Sequence, residues 1–192
     1  MIKDLNSRFA IAGALRIEGG KGAFTKVIMS SDGGACAEVY LHGAHVARWK
    51  DSSGRDGLFL SERAVFHEDK PIRGGIPVVF PQFGPGLLPM HGLVRTEDWE
   101  ILETKRTESG GMIVVFSISD SPSLRQLWPY RFRCDYIVRL EDGSLDTELR
   151  VLNIGDRVLS CTCALHTYLS VTDVSRVSGL GLAGLQYIDI LD

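Results

Sequence analysis

Residues 131–153 read RFRCDYIVRLEDGSLDTELRVLN, and this stretch decides the fold. Phe132, Cys134, Tyr136, Val138 and Leu140 form one alternating run, and Leu145, Thr147, Leu149 and Val151 form the next. A period of two is the mark of a half-buried β-strand. Between the runs lies Glu141-Asp142-Gly143-Ser144, whose central Asp-Gly favours a two-residue type I′ turn. That register sets Arg139 opposite Asp146 and Asp135 opposite Arg150 on the outward face. Such cross-strand pairs of opposite charge each add a few tenths of a kcal/mol. A slip of one residue would turn every side chain to the wrong face.

Short apolar runs interrupted by glycine extend the same pattern outward. Met112 to Ser119 reads as a buried strand. Val39 to Trp49 reads as a strand or strand pair carrying His42 and His45. Val158 to Val171 reads as a further strand. One of its faces, with Leu159, Cys161, Cys163, Leu165, Thr167 and Leu169, is core-like. The other carries Ser160, Thr162, Ala164, His166, Tyr168 and Ser170. Residues 61–70, SERAVFHEDK, suggest a short helical turn. A long amphipathic helix, a repeat and a linker tract are all missing from the sequence. The expected fold is all-β, an antiparallel β-sandwich formed as a single domain over residues 1–192.

The 192 residues are 44% hydrophobic and 23% charged, with a net charge of −3. These values describe an ordinary globular protein with one sizeable core. They argue against a broad basic surface, and so against nucleic acid or an anionic membrane as partner. The opening residues lack a long apolar segment, which argues against a signal peptide or membrane span. Cys36, Cys134, Cys161 and Cys163 are expected to be reduced thiols, with the cytosol as compartment.

The richest chemistry lies in residues 71–99, PIRGGIPVVFPQFGPGLLPMHGLVRTEDW. Pro71, Pro77, Pro81 and Pro85 forbid a regular helix there. Gly74 and Gly75 are expected to let a ligand approach the backbone. Arg73 and Arg95 suit forked contacts to phosphate or carboxylate oxygens. Ion pairing with Glu97 or Asp98 is the competing reading. His91 suits a sugar hydroxyl, support of the arginines, or bracing of the loop. His166 is the leading candidate for proton transfer near neutral pH, against a plain hydrogen-bonding role at a strand end. Cys161, Cys163 and His166 form C-x-C-x-x-H, but a structural zinc site needs a fourth ligand and no second cluster supplies it. Gly179 to Gly184 superficially matches G-x-G-x-x-G, without the helix that a dinucleotide site requires.

These blocks resemble a known family. PIRGGIPVVFPQFG, LPMHGLVRTEDW, ALHTYLSVTDV and GLAGLQYID, in that order, are similar to the glucose-6-phosphate 1-epimerases, hexose-6-phosphate mutarotases related to the aldose 1-epimerases. The resemblance implies a galactose-mutarotase-like supersandwich and interconversion of the anomers of a hexose 6-phosphate, without a cofactor or metal. In that family a base takes the proton of the anomeric hydroxyl while a histidine protonates the ring oxygen. The ring opens to the aldehyde, C1–C2 rotates, and reclosure gives the other anomer.

Position by position, the resemblance makes His166 the general acid and Arg73 and Arg95 substrate ligands, with the phosphate as the group they are expected to hold. His91 becomes the histidine of the H-G-x-x-R block. Met90 stands where many members have a substrate-contacting glutamine, a contact that a thioether makes poorly; Gln82 is the candidate to compensate. Asp189 matches a family aspartate. Family members continue past Asp192, and the chain is expected to cover about the first two-thirds of the domain. The family's catalytic glutamate lies in the remainder, and neither Glu97, Glu141 nor Glu148 replaces it. Two consequences are expected: weak or no catalysis by these residues alone, and association through exposed sheet edges. The alternatives are a noncatalytic sugar-phosphate-binding module and an interaction protein.

Overall fold

The structure, a computed structural model, describes residues 1–186; Asp189 lies outside them. A short helix α1 (Ile2–Phe9) opens the chain. Four strands follow as an antiparallel meander: β1 (Leu15–Gly19), β2 (Thr25–Ser30), β3 (Cys36–Tyr40) and β4 (His45–Lys50). The short β5 (Val78–Val79) stands apart from this sheet. A second meander holds β6 (Glu100–Arg106), β7 (Met112–Ser119), β8 (Phe132–Leu140) and β9 (Leu145–Asn153). Helix α2 (Pro122–Leu127) links β7 to β8, with Ser121 accepting from the Leu124 amide and Pro122 in the first turn. The short β10 (Ala164–Leu165) pairs with β5.

The inward faces of the two meanders share one apolar core. Ile17, Val27, Met29, Val39 and Val46 come from the first sheet; Met112, Val114, Phe116, Tyr136 and Val138 come from the second. Antiparallel sheets with one buried face produce the alternation read from sequence. The sandwich class, the strand Met112–Ser119 and the strand pair around His42 and His45 all stand as expected.

The β8–β9 register is also as read: Arg139 faces Asp146 and Asp135 faces Arg150. Its turn is not of type I′, since neither Asp142 nor Gly143 adopts a positive φ. The charges pair along the strands rather than across them. Arg133 bonds Asp135 at 2.6 Å, Ser117 adds a hydroxyl at 2.7 Å, and Arg150 bonds Glu148 at 2.7 Å. Residues two apart share a strand face, so a long arginine reaches its own strand's carboxylate as readily as its neighbour's.

Two further expectations fail. Residues 61–70 form two separate turns, Ala64 to Ser61 and Lys70 to His67, and no helix. The strand expected over Val158–Val171 shrinks to β10, although the backbone stays bonded to a neighbouring segment. Thr162, His166 and Tyr168 donate to the carbonyls of Pro81, Pro77 and Gly75, at 2.9, 3.1 and 2.8 Å. Pro77 and Pro81 have no N–H to return, so a full ladder cannot form. Cys163 and Leu169 are exposed rather than buried in the core. After Asn153 many apolar side chains face outward, among them Val158, Val174, Leu180 and Leu185.

Gly75 also departs from the expectation. A Cβ there would lie 2.1 Å from the Val46 carbonyl oxygen, and the residue has φ +62°. The protein's own β4 backbone, not a ligand, fills the space. Beside it His45 is buried with Nε2 unpartnered, and burial pushes its pKa down to about 3. The first sheet's edge is closed by a side chain. Asn6 accepts from the Ile17 amide at 2.9 Å and donates to the Ile17 carbonyl at 2.6 Å, copying a strand partner and blunting the free edge of β1.

Two outcomes follow from these contacts. His45 is neutral when folded and takes a proton near 6.5 when unfolded, so it favours the unfolded chain increasingly as pH falls from 6.5 toward 3. Denaturant titrations should show stability lost across that window, by up to about 1.4 kcal/mol per pH unit, and a shallower loss in His45→Leu. Asn6→Ala should cost roughly 1–3 kcal/mol in the same measurement, from two lost backbone contacts.

Candidate active site

Two chain segments build the site: the loop from Gln82 to Arg95, and residues 162–170 alongside it. The second segment is held by the donations to Pro77, Pro81 and Gly75 described above, and Phe59 closes it by donating to the Tyr168 carbonyl at 2.9 Å. His166 is thereby placed one bond from the Pro77 backbone. The loop's far end is fixed by Phe80, whose carbonyl accepts from Leu93 at 2.8 Å. Trp99, buried, donates its indole N–H to Val94 at 3.0 Å and anchors the short turn Val94–Thr96 that carries Arg95.

Four rings meet where the segments touch. His91 and His166 lie 5.7 Å apart, His166 and Tyr168 stack at 4.9 Å, and Phe83 sits 5.3 Å from His91 and 6.5 Å from His166. Phe83 is half-exposed, so the cluster is an open face. Nothing in the sequence reading singled out Phe83; an aromatic residue set beside a Gly-Pro step in a polar loop was the available signal.

The two histidines differ in how they are held. His91 adopts φ +64°, rare for a side-chain-bearing residue. Its Nδ1 accepts from the Gly84 amide at 3.2 Å. Burial first, then the charges of Arg95 and His166, lower its pKa. His166 has a buried Nδ1 without a partner among the described residues. One ring is pinned in place and the other is not.

Arg95 is half-buried and donates to the Met90 carbonyl. Burial lowers its pKa, while nearby Tyr168 raises it. Arg73 is exposed, on the segment one residue before Gly74, and its backbone carbonyl accepts from Ser61. Neither arginine makes an ion pair among the described residues, so the expected alternative, pairing with Glu97 or Asp98, does not occur. Asp98 instead approaches His42 at 3.7 Å, and Glu97 lines a cavity of about 620 Å³ beside His42 and His67.

The structure therefore gathers His91, His166 and Arg95 and leaves Arg73 on the adjacent segment, with no hydrogen bond or ion pair to them. Gln82 stands inside the loop rather than on its open side. Its amide nitrogen donates to Gly84 and Leu88, each at 3.1 Å, and its oxygen accepts from Leu88 at 3.0 Å. Both of its donors are spent. Met90 is half-exposed beside His91.

Comparison with known proteins gives the family and the fold. Residues 25–192 match the family described as aldose 1-epimerase. A protein of Cenchrus ciliaris named "Putative glucose-6-phosphate 1-epimerase" is 36% identical over 176 residues, covering 86% of this chain and 53% of that protein. An Escherichia coli protein of the same name is 33% identical, covering 80% and 51%. The crystal structure of a "putative mutarotase" from Salmonella typhimurium superposes with a TM-score of 0.76 at 25% identity, covering 90% of this chain and 58% of that one. A galactose mutarotase-like protein from Clostridium acetobutylicum shares the fold, with a TM-score of 0.63 at 16% identity, over 73% of this chain and 49% of its own. The chain spans about half the length of the curated relatives it matches, less than the two-thirds expected. No helix among the described residues is long and apolar enough to cross a membrane. Its sequence match and its sandwich make this chain a member of the aldose 1-epimerase family.

Proposed function

We propose that this chain carries the acid and anion-binding half of a hexose 6-phosphate 1-epimerase site. The observation that carries the reading is a half-buried guanidinium, Arg95, that makes no ion pair among the described residues and stands beside two imidazoles. Arg95, His91 and His166 converge, and the charges acting on His91 are Arg95 and His166, with no carboxylate among them. A guanidinium partly removed from water without a counterion favours an anionic ligand.

In this reading Arg95 and Arg73 hold the phosphate, and the sugar lies against Phe83 and Tyr168. His166 gives its proton to the ring oxygen as the C1–O5 bond breaks, leaving the aldehyde once the anomeric hydroxyl loses its own proton. Reclosure returns the proton to His166 after C1–C2 rotation. The loss of the hydroxyl proton needs a base, and among the described residues the cluster offers no carboxylate for that step. The expected activity of the 192 residues alone is therefore weak. We place the chain in the cytosol, where free thiols persist and sugar phosphates are found, with a small sugar phosphate rather than nucleic acid or membrane as partner. The outward apolar side chains after Asn153 favour a second reading, association with another chain; a monomer in sedimentation at tens of micromolar would overturn it.

Calorimetry should find glucose 6-phosphate binding more tightly than glucose, and Arg95→Ala and Arg73→Ala should each weaken it about tenfold or more. Equal affinity for the two sugars would defeat the phosphate assignment. Any acceleration of anomer exchange over a protein-free blank, read by exchange NMR, should vanish in His166→Gln. The electrostatics are testable without substrate. His91 should titrate below the ordinary histidine range, and Arg95→Met should raise its midpoint by removing a neighbouring positive charge.

A further inference from the structure

The loop from Gln82 to His91 is closed by a single side chain. Gln82 spans it from within, donating to the carbonyls of Gly84 and Leu88 and accepting from the Leu88 amide. Gly84 then meets His91 twice: its carbonyl accepts from the His91 amide at 3.1 Å, and its amide donates to His91 Nδ1 at 3.2 Å. The Gly84 carbonyl is thus shared between Gln82 and His91. The strut passes so close under the loop tip that a Cβ on Gly86 would lie 2.4 Å from its oxygen.

An imidazole nitrogen that accepts from a backbone N–H must carry a lone pair, so the neutral ring holds its proton on the other nitrogen. His91 is accordingly the Nε2–H form, and its one free position is a donor. We propose that Gln82 is a positioning residue that fixes His91 in this tautomer by holding Gly84 in place. His91 then serves as a fixed hydrogen-bond donor to an oxygen of the bound sugar, and proton movement is left to His166. The sugar in this statement rests on the epimerase reading; the tautomer lock does not.

The lock is consistent with the contrast between the rings. His166 Nδ1 meets no partner among the described residues, so nothing there fixes which nitrogen carries its proton. A group that gives and regains a proton profits from that freedom, while a group that orients substrate does not. Gln82 itself has no donor left for a ligand, which argues for support rather than contact.

The test is long-range proton–nitrogen correlation NMR on nitrogen-labelled protein at a pH where His91 is neutral. His91 is assigned by the signal lost in His91→Gln. Wild type should show the Nε2–H pattern alone. Gln82→Met keeps the length and removes all three bonds; its His91 nitrogen shifts should move toward a mixture of both tautomers. Gly86→Ala displaces the strut without deleting it and should move them the same way, which keeps the test decisive if Gln82→Met does not fold. An Nδ1–H pattern in wild type, or an unchanged Nε2–H pattern in a folded Gln82→Met or Gly86→Ala protein, overturns the proposal. Absence of glucose 6-phosphate binding with the expected tautomer shifts intact would sink the epimerase reading and leave the lock standing.

Discussion

The whole site hangs on one stretch of backbone, Gly75 to Pro81. Its carbonyls accept from residues 162, 166 and 168 on one side, and Ile76 donates to Val46 of β4 at 2.9 Å on the other. Buried backbone groups must be paired, so this shared seam fixes the distance between the first sheet and the segment bearing His166. Pro77 and Pro81 keep the seam from becoming an ordinary ladder. The adjoining chain remains extended yet irregular, and irregular backbone on a rigid frame is where functional side chains can be aimed.

The arginines on the same frame differ in how they are paired. Many of the arginines answer to carboxylates, among them Arg48 to Glu38 and Asp56, Arg55 to Asp51, and Arg133 to Asp135. Arg73 and Arg95 do not. Exposed pairs add little to stability, so leaving Arg73 unpaired costs the fold almost nothing, whereas Arg95 is half-buried and burial lowers its pKa. His91 beside it has a lowered pKa, through burial first and then through the charges of Arg95 and His166.

The strand pattern and register were legible because they obey a strict period of two, which a core on one face enforces. The β8–β9 pairing could be written down residue by residue. The turn type was not legible, since Asp-Gly permits more than one backbone path once the strands' ends are fixed by packing. The extent of the strand near His166 was hidden for a different reason: its ladder depends on a partner far away in sequence, and that partner's prolines withhold the bonds. Gly75 looked like room for a ligand because a missing side chain does not say what fills its place. His166, His91 and the arginines stood out by residue type and by resemblance, while the support role of Gln82 became visible only through its three bonds.

Arg73 offers a last consequence. Its side chain takes no part in any hydrogen bond or ion pair of the described residues, and it projects from a segment whose neighbour, Gly75, is immovable. Evolution can therefore exchange residue 73 with little penalty in folding, while position 75 is frozen. If Arg73 holds the phosphate as proposed, a lineage turning to a neutral or differently charged sugar has one inexpensive place to begin, a single codon beside a glycine that has no room for a side chain.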